Sequence, residues 1–478
     1  MMTLKNKVEA DYQNLAYSYL GHIDNKVIEK YKNSDQEAID QLWNTLKDNW
    51  IKKVLSYLQN LFNEKNSMPI ISAKELPRAT SVFEYMNKGG TPLDTFDIMV
   101  AKFAEPGVED TLYDIFYETL SSSIQLPESI ERDKKKASSY YVNLKKNGFG
   151  LETSSGVLVK SMKDQFLNLL SISSFLLEKE FDKLDVSIIK KEAILSIKPE
   201  VISDDNVKKV VVGMKRAIAF LQYRCGIHVY DYLRYKLMVL PIALFLADDK
   251  IWENKNAINI LEYWYWASIF SGVYREKQNV RIIQDIKSLY NWIFKEKESK
   301  KIKDRINYIF KSTNYNDENT LLLENEERSV GKAVECSILS YIVRQEPHDL
   351  NQKDEFRLSA RVISEEEISL YEHIIIPLGN SASLDASAKS IRKRKGHILN
   401  SPLNKTLISI KASKSIKNLS VFDYLKFLDD QAALTHFIPA PPNRTEIQDN
   451  DSEAYRSFLI SRLKLLSRDI RKHLESLI

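Results

Sequence analysis

The sequence predicts a mainly α protein, a multi-helix middle domain followed by a small α+β domain near the C-terminus. Three observations predict it. Apolar residues recur at helical spacing along most of the chain, only 13 glycines in 478 residues leave few tight turns, and strand-like alternation is concentrated between residues 353 and 415. A chain of this length is expected to form about two to four domains, and 44% apolar residues suffice for their cores.

In chain order, helical spacing is read over Ala38 to Phe62, Met162 to Lys179, Asp205 to Tyr223, Tyr230 to Leu246, Ile258 to Phe270, Ile282 to Ile293 and Val334 to Arg344. Pro241 is expected to kink or divide the fourth of these. Ser67 to Ile71 contains Pro69 and reads as a short strand remnant. Alternation predicts strands over Phe356 to Val362 and Lys405 to Ile410. Ser121 to Ser129, Thr313 to Asn325 and Asn380 to Ser387 read as loops. The prolines between Ile438 and Asn443 cannot be helical and set off a final helix.

The 69 Lys and Arg against 65 Asp and Glu leave a net charge of +4, too small to establish a nucleic-acid partner. Cys225 and Cys336 make neither a disulfide framework nor a zinc pattern, which fits a reducing compartment. The N-terminus lacks the apolar core of a signal peptide, and Leu237 to Ala247 is too short to span a membrane. A soluble, cytosolic protein without a membrane partner is expected.

Residues 371–417 carry the chemistry. Glu372-His373 heads an apolar run, a basic stretch follows from Lys389 to Lys395, and a second strand opens near Asn404 before a short helix. Taken alone, Glu372-His373 reads as a half-exposed histidine on a strand. With Asn404 and the basic loop it outlines a ββα-metal, HNH-type nuclease site. There His373 would be the general base, Glu372 the ligand of a divalent ion (Mg or Mn), and Asn404 the amide that fixes the imidazole or the loop. The helix position that completes such a metal site falls at Ser413, and a serine hydroxyl is a weak ligand for a hard cation. The site is therefore expected to be weakened or inactive.

Arg392, Lys393, Arg394 and Lys395 contain no intervening acid and are the candidate contacts to a DNA backbone. His397 beside them either donates to a phosphate or replaces the missing ligand. His228, His348, His436 and His473 lack ligand spacing. The stripe Tyr263-Trp264-Tyr265-Trp266 with Tyr274 reads first as helix core and second as a platform for an extruded base. Asn87 to Asp97 reads as a turn opening a helix at Thr91-Pro92, with proline in its first turn.

Several of these segments together resemble one family. Glu372-His373-Ile-Ile-Ile-Pro377, Leu399 to Ser409 and Val421 to Leu425 are similar to the C-terminal HNH-like domain of GmrSD-type, modification-dependent (type IV) restriction endonucleases. Upstream, Phe83, Asn87, Gly90, Leu93 and Asp97 match a signature that closes that family's N-terminal nucleotide-hydrolysing domain. Trp264-Tyr-Trp266, Ser271 to Tyr274 and Phe458 to Arg462 are weaker echoes. The family's Asp-Gly-Gln-Gln-Arg motif is absent. The resemblance thus implies one part of a split system, whose partner is a separate protein carrying the ParB- or sulfiredoxin-like nucleotide-binding half, with Asn87, Gly90, Leu93 and Asp97 at the interface. It implies residues 1–110 as a helical remnant, 111–350 as a helical domain, 351–430 as the HNH-like domain and 431–478 as a linker and helix. Two functions follow as expectations: a metal-dependent DNA endonuclease subunit of an anti-phage system, or a catalytically inactive DNA-binding scaffold of such a complex.

Overall fold

The computed structural model describes residues 94–478 apart from 105–109, 132–138, 199–202, 312–315, 325–329, 351–356, 382–386, 417–420, 427 and 441–450. The chain divides into two units, Met1–Ala79 and Thr80–Ile478, and the described residues belong to the second. The readings on Ala38 to Phe62, Ser67 to Ile71, Asn87, Gly90 and Leu93 lie outside the described residues.

The expected helical class holds. The principal helices are α1 (Thr95–Lys102), α2 (Leu112–Ser121), α3 (Lys160–Glu178), α4 (Asp204–Cys225), α5 (Val239–Leu246), α6 (Lys255–Phe270), α7 (Gln278–Phe294) and α8 (Lys332–Arg344). After them come α9 (Ala360–Glu365), β3 (Leu370–Ile374), α10 (Ala388–Lys393), β4 (Lys405–Ser409), α11 (Ile410–Ile416), α12 (Val421–Lys426), α13 (Asp430–Thr435) and α14 (Ser452–Glu475). A small antiparallel pair, β1 (Ile124–Gln125) with β2 (Ser139–Tyr140), interrupts the loop read over Ser121 to Ser129.

α4 is the central helix. It packs against α2, α3, α5 and α8, and buries Val207, Val211, Met214, Ile218 and Leu221. The close approach of α5 depends on Gly213, where a Cβ would stand 2.4 Å from the Ala243 carbonyl oxygen. Gly226 ends α4 in the left-handed region at φ 62, the conformation that favours glycine at a helix terminus. One apolar cluster runs from Phe96 to Leu477, so segments 111–350, 351–430 and 431–478 share a core.

Three local readings change. Tyr230 to Leu246 is not one helix but two short 3₁₀ turns leading into α5, which starts at Val239. Pro241 sits inside the first turn of α5, where its missing N–H costs nothing, while its ring excludes helical placement of the Leu237 carbonyl. In the stretch read over Phe356 to Val362, the described residues from Arg357 on contribute only an isolated bridge, Arg357 with His348, because Ser359 caps α9 by accepting from Val362 N at 3.2 Å. The stretch Thr313 to Asn325 holds a helical turn at Glu318–Leu321. The reading of a helix opening at Thr91-Pro92 lies outside the described residues, in which α1 starts at Thr95. Asp94 and Asp97 form its capping box, each carboxylate accepting the other's backbone N–H at 2.9 Å.

The aromatic stripe is core. Tyr263, Trp264, Tyr265, Trp266 and Tyr274 are each at most 1% exposed. Trp264 Nε1 and Tyr274 OH donate to Asp285 Oδ2 at 2.8 and 2.6 Å, and Arg305 grips the same carboxylate through both terminal nitrogens. Cys225 and Cys336 are buried free thiols. Among the described residues, no helix is long and apolar enough to cross a membrane.

Candidate functional site

β3 and β4 pair antiparallel with Glu372 opposite Leu407 and His373 opposite Thr406, and α11 packs back on both strands. In chain order the segment runs β3, α10, β4, α11, so a short helix lies between the two paired strands. Because successive strand residues point to opposite faces, the adjacent Glu372 and His373 have separate surroundings.

His373 lies on the inner face, 8% exposed. Its Nε2 is 3.3 Å from the Tyr424 hydroxyl, which donates its own proton to the Ile375 carbonyl at 3.0 Å. With that proton committed, Nε2–H is the donor to tyrosine and Nδ1 keeps the lone pair. Burial pushes the imidazole pKa down to about 4, so the ring is neutral at pH 7, as a general base requires. A histidine whose folded pKa lies below its unfolded value of 6.5 binds its proton more readily in the unfolded chain. Its contribution to stability is therefore complete above 6.5 and falls with a limiting slope of about 1.4 kcal/mol per pH unit as pH drops toward 4. Thermal melts of wild type and His373→Gln across this window should converge at low pH; parallel curves would remove His373 from the acid response.

Asn404 is fully buried and holds the loop, not the ring. Its Oδ1 accepts from Ile376 N at 2.8 Å, and its Nδ2 donates to the carbonyls of Ile376 and Leu399 at 2.9 Å. Thus it clamps the segment leaving β3 onto the turn preceding β4.

Glu372 lies on the other face. Lys405 Nζ binds Glu372 and Glu335 at 2.8 Å each, and Lys332 binds Glu335 at 2.8 Å, giving an alternating row Lys332, Glu335, Lys405, Glu372. Burial opposes the Lys405 charge, but the two carboxylates outweigh it and hold its pKa above the ordinary value. Glu372 also lines a cavity of about 310 Å³ with Lys146, Asn147, His228 and Tyr232. The His228 Nδ1 is buried without a partner, and burial pushes that ring's pKa down to about 3. Burial and then the Glu372 charge raise the Tyr232 pKa.

Ser413 stands half-buried on α11. Among the described residues, no three His, Cys, Asp or Glu side chains group to hold a metal ion. One carboxylate already neutralised by lysine and one hydroxyl do not fit the oxygen-rich shell that Mg²⁺ or Mn²⁺ requires.

The basic turn is the accessible part of the site. Arg392, Lys393, Arg394 and Lys395 are all exposed, at and just beyond the end of α10. Asn400 Nδ2 pins their backbone by donating to the carbonyls of Ile391 and Arg394 at 2.9 and 2.8 Å. His397 caps the following turn, its Nδ1 accepting from Leu399 N at 3.2 Å, which leaves Nε2 to carry the proton. Burial and then Arg394 lower its pKa.

The structure also assembles residues that spacing did not single out. His436 is fully buried, with Nε2 donating to the His348 carbonyl at 2.8 Å and Nδ1 accepting from Thr406 Oγ1 at 2.6 Å. Arg462 of α14 donates to the carbonyls of Leu403, Lys405 and His436. Asp349 accepts from Ser409 N at 3.0 Å and from its hydroxyl, which in turn accepts from Ala412 N at the start of α11. These groups come from distant parts of the chain, and no local motif links them. Compared with family models, curated proteins and solved structures, the chain finds no match in any of the three.

Proposed function

We propose that this chain is a DNA-backbone-binding subunit of a restriction-type anti-phage complex, in which an HNH-like ββα frame serves as a grip and not as a complete hydrolytic site. The observation that carries this reading is the exposed turn Arg392 to Lys395, four consecutive cations held in place by Asn400. Such a turn neutralises phosphates and releases counterions on binding. The engagement of Glu372 by Lys405 and the serine at position 413 support the inactive form of the frame. The partner in this reading carries the nucleotide-binding half, and modified phage DNA is the target of the assembled complex.

Duplex binding measured by fluorescence anisotropy over a salt series tests the grip. Replacing Arg392, Lys393, Arg394 and Lys395 by glutamine should reduce the slope of log K against log salt by roughly 3–4, about 0.9 per lost phosphate contact. An unchanged slope would sink the assignment of this turn.

A second reading, a metal-dependent endonuclease, is favoured by the neutral His373 with its Nδ1 lone pair and by the loop clamp of Asn404. Nicking of modified and unmodified DNA with Mg²⁺ or Mn²⁺, with the partner present, decides between them. Cleavage abolished by His373→Ala establishes the enzyme; binding without cleavage leaves the grip.

A further inference from the structure

A second cavity, again of about 310 Å³, opens where the first turns of α7 and α8 meet. Its wall includes Arg234, Arg275 and Lys332, together with Gln278, Asn316 and Gly331, and among the described residues no aspartate or glutamate lines it. We infer that this cavity binds a small phosphorylated molecule, whose phosphoryl oxygens are taken by Arg234, Arg275 and Lys332.

Three cations around one recess, with no carboxylate among its described lining residues, create a field that favours a multiply charged anion. Guanidinium groups match phosphate oxygens in pairs, which a chloride ion or a single carboxylate uses less well. The recess is also lined by Gly331 through Val334, the opening of α8, and by Gln278, the first residue of α7. Neither cap residue, Gly331 or Lys277, supplies a side-chain acceptor to its helix. The first-turn N–H groups therefore add donors and partial positive charge to the same space. Asn316 is 2% exposed and is fixed by donation from its Nδ2 to the Phe270 carbonyl at 3.1 Å, which keeps one polar wall rigid.

The size decides the class of ligand. A recess of this volume lies at the lower end of small-molecule sites and admits a phosphoryl group with a modest body attached. A duplex backbone instead suits an exposed segment such as the Arg392 turn. Lys332 is shared with Glu335 at 2.8 Å, so an arriving anion competes with the first pair of the row that ends at Glu372. The inference stands apart from the DNA-binding reading and does not need it.

The test is titration calorimetry and thermal shift on the full chain at fixed ionic strength, with pyrophosphate, ADP and a short duplex as probes. Pyrophosphate should bind and raise the melting midpoint of wild type. The double variant R234Q/R275Q should weaken that affinity by about tenfold or more, with Arg275→Lys intermediate. Lys209→Gln, on an exposed position of α4, controls for the loss of charge alone and should bind as wild type does. Equal affinity for ADP and pyrophosphate means that recognition ends at the phosphates, and tighter ADP means that the nucleoside body is read; both support the site. No response of wild type to either small probe, an undiminished affinity in R234Q/R275Q, or a response to the duplex alone overturns it.

Discussion

Replacing Glu262 by alanine is expected to lower the unfolding free energy by about 3–5 kcal/mol, the cost of leaving buried charges without their partner. Glu262 is 0% exposed on α6 and gathers three other helices. Arg224 of α4 binds one carboxylate oxygen, while Arg344 of α8 and His473 of α14 bind the other at 3.0 and 2.7 Å. His473 Nδ1 lies 3.1 Å from Arg344 Nη2, which can only donate, so Nε2 is the histidine nitrogen that donates to Glu262. Burial alone would raise the Glu262 pKa, but the charges of Arg344 and Arg224 outweigh it and hold the carboxyl well below its usual range. Alanine leaves two guanidinium groups buried with no anion between them. In a chain of this length the melting midpoint should fall by about 3–5 °C, measured by calorimetry at neutral pH.

The sign of the pH dependence follows. A carboxyl depressed in the folded state stabilises fully above its unfolded pKa, near 4.5, and loses that contribution as pH falls toward the folded value. The gap between wild type and Glu262→Ala should therefore narrow below pH 4.5. A midpoint within a degree of wild type would mean that the four helices are held by apolar packing alone. Replacing Glu262, Arg224 and Arg344 together by apolar residues of similar size is expected to recover much of the loss, since such exchanges are often neutral.

Arg462→Ala is the second large effect, and its consequences are local. The guanidinium is 0% exposed and meets three backbone carbonyls, those of Leu403 before β4, Lys405 within it and His436 after α13. Burial lowers its pKa to about 9, so the cation persists at neutral pH although the site is poor for charge. Its Nε is buried without a partner. Removing the side chain relieves the buried charge but leaves three acceptors dry, at about 1–3 kcal/mol each. A net loss of about 3 kcal/mol is expected. Hydrogen exchange should show it first in the amides of β3 and β4, whose pairing carries Glu372 and His373. Unaltered protection there would show that β4 is held without α14. Arg462→Lys keeps the charge and loses the fork, so it should recover only part of the protection.

Much of the helical frame was legible because helix formation is local. The apolar stripes of α3, α4, α6, α7 and α8 fall within a few residues of their observed ends, and β3 and β4 lie where Glu372-His373 and Lys405 to Ser409 placed them. An error arose where a short-range competitor prevailed, Ser359 capping a helix in a stretch that alternates like a strand, whereas the division expected at Pro241 is present, the α-helix starting only at Val239. The site was legible only as a list of residue types. Position 413 is serine whatever the fold, and the Arg392 to Lys395 cluster is acid-free by sequence alone.

Only the tertiary structure decided how those residues meet. Strand alternation parts Glu372 from His373, and register brings Lys405 to Glu372. Packing of segments far apart in the chain brings His228 toward the Glu372 cavity and gathers Arg224, Glu262, Arg344 and His473, in contacts 38 to 211 residues apart, into one buried network. Arg234, Arg275 and Lys332 likewise share one recess. The sequence by itself determined the helical class, the strand carrying the acid and the histidine, and the basic turn, since each follows from interactions within a few residues. Which side chains share a charge, a proton or a cavity depends on pairing and packing between distant segments, which no local pattern encodes.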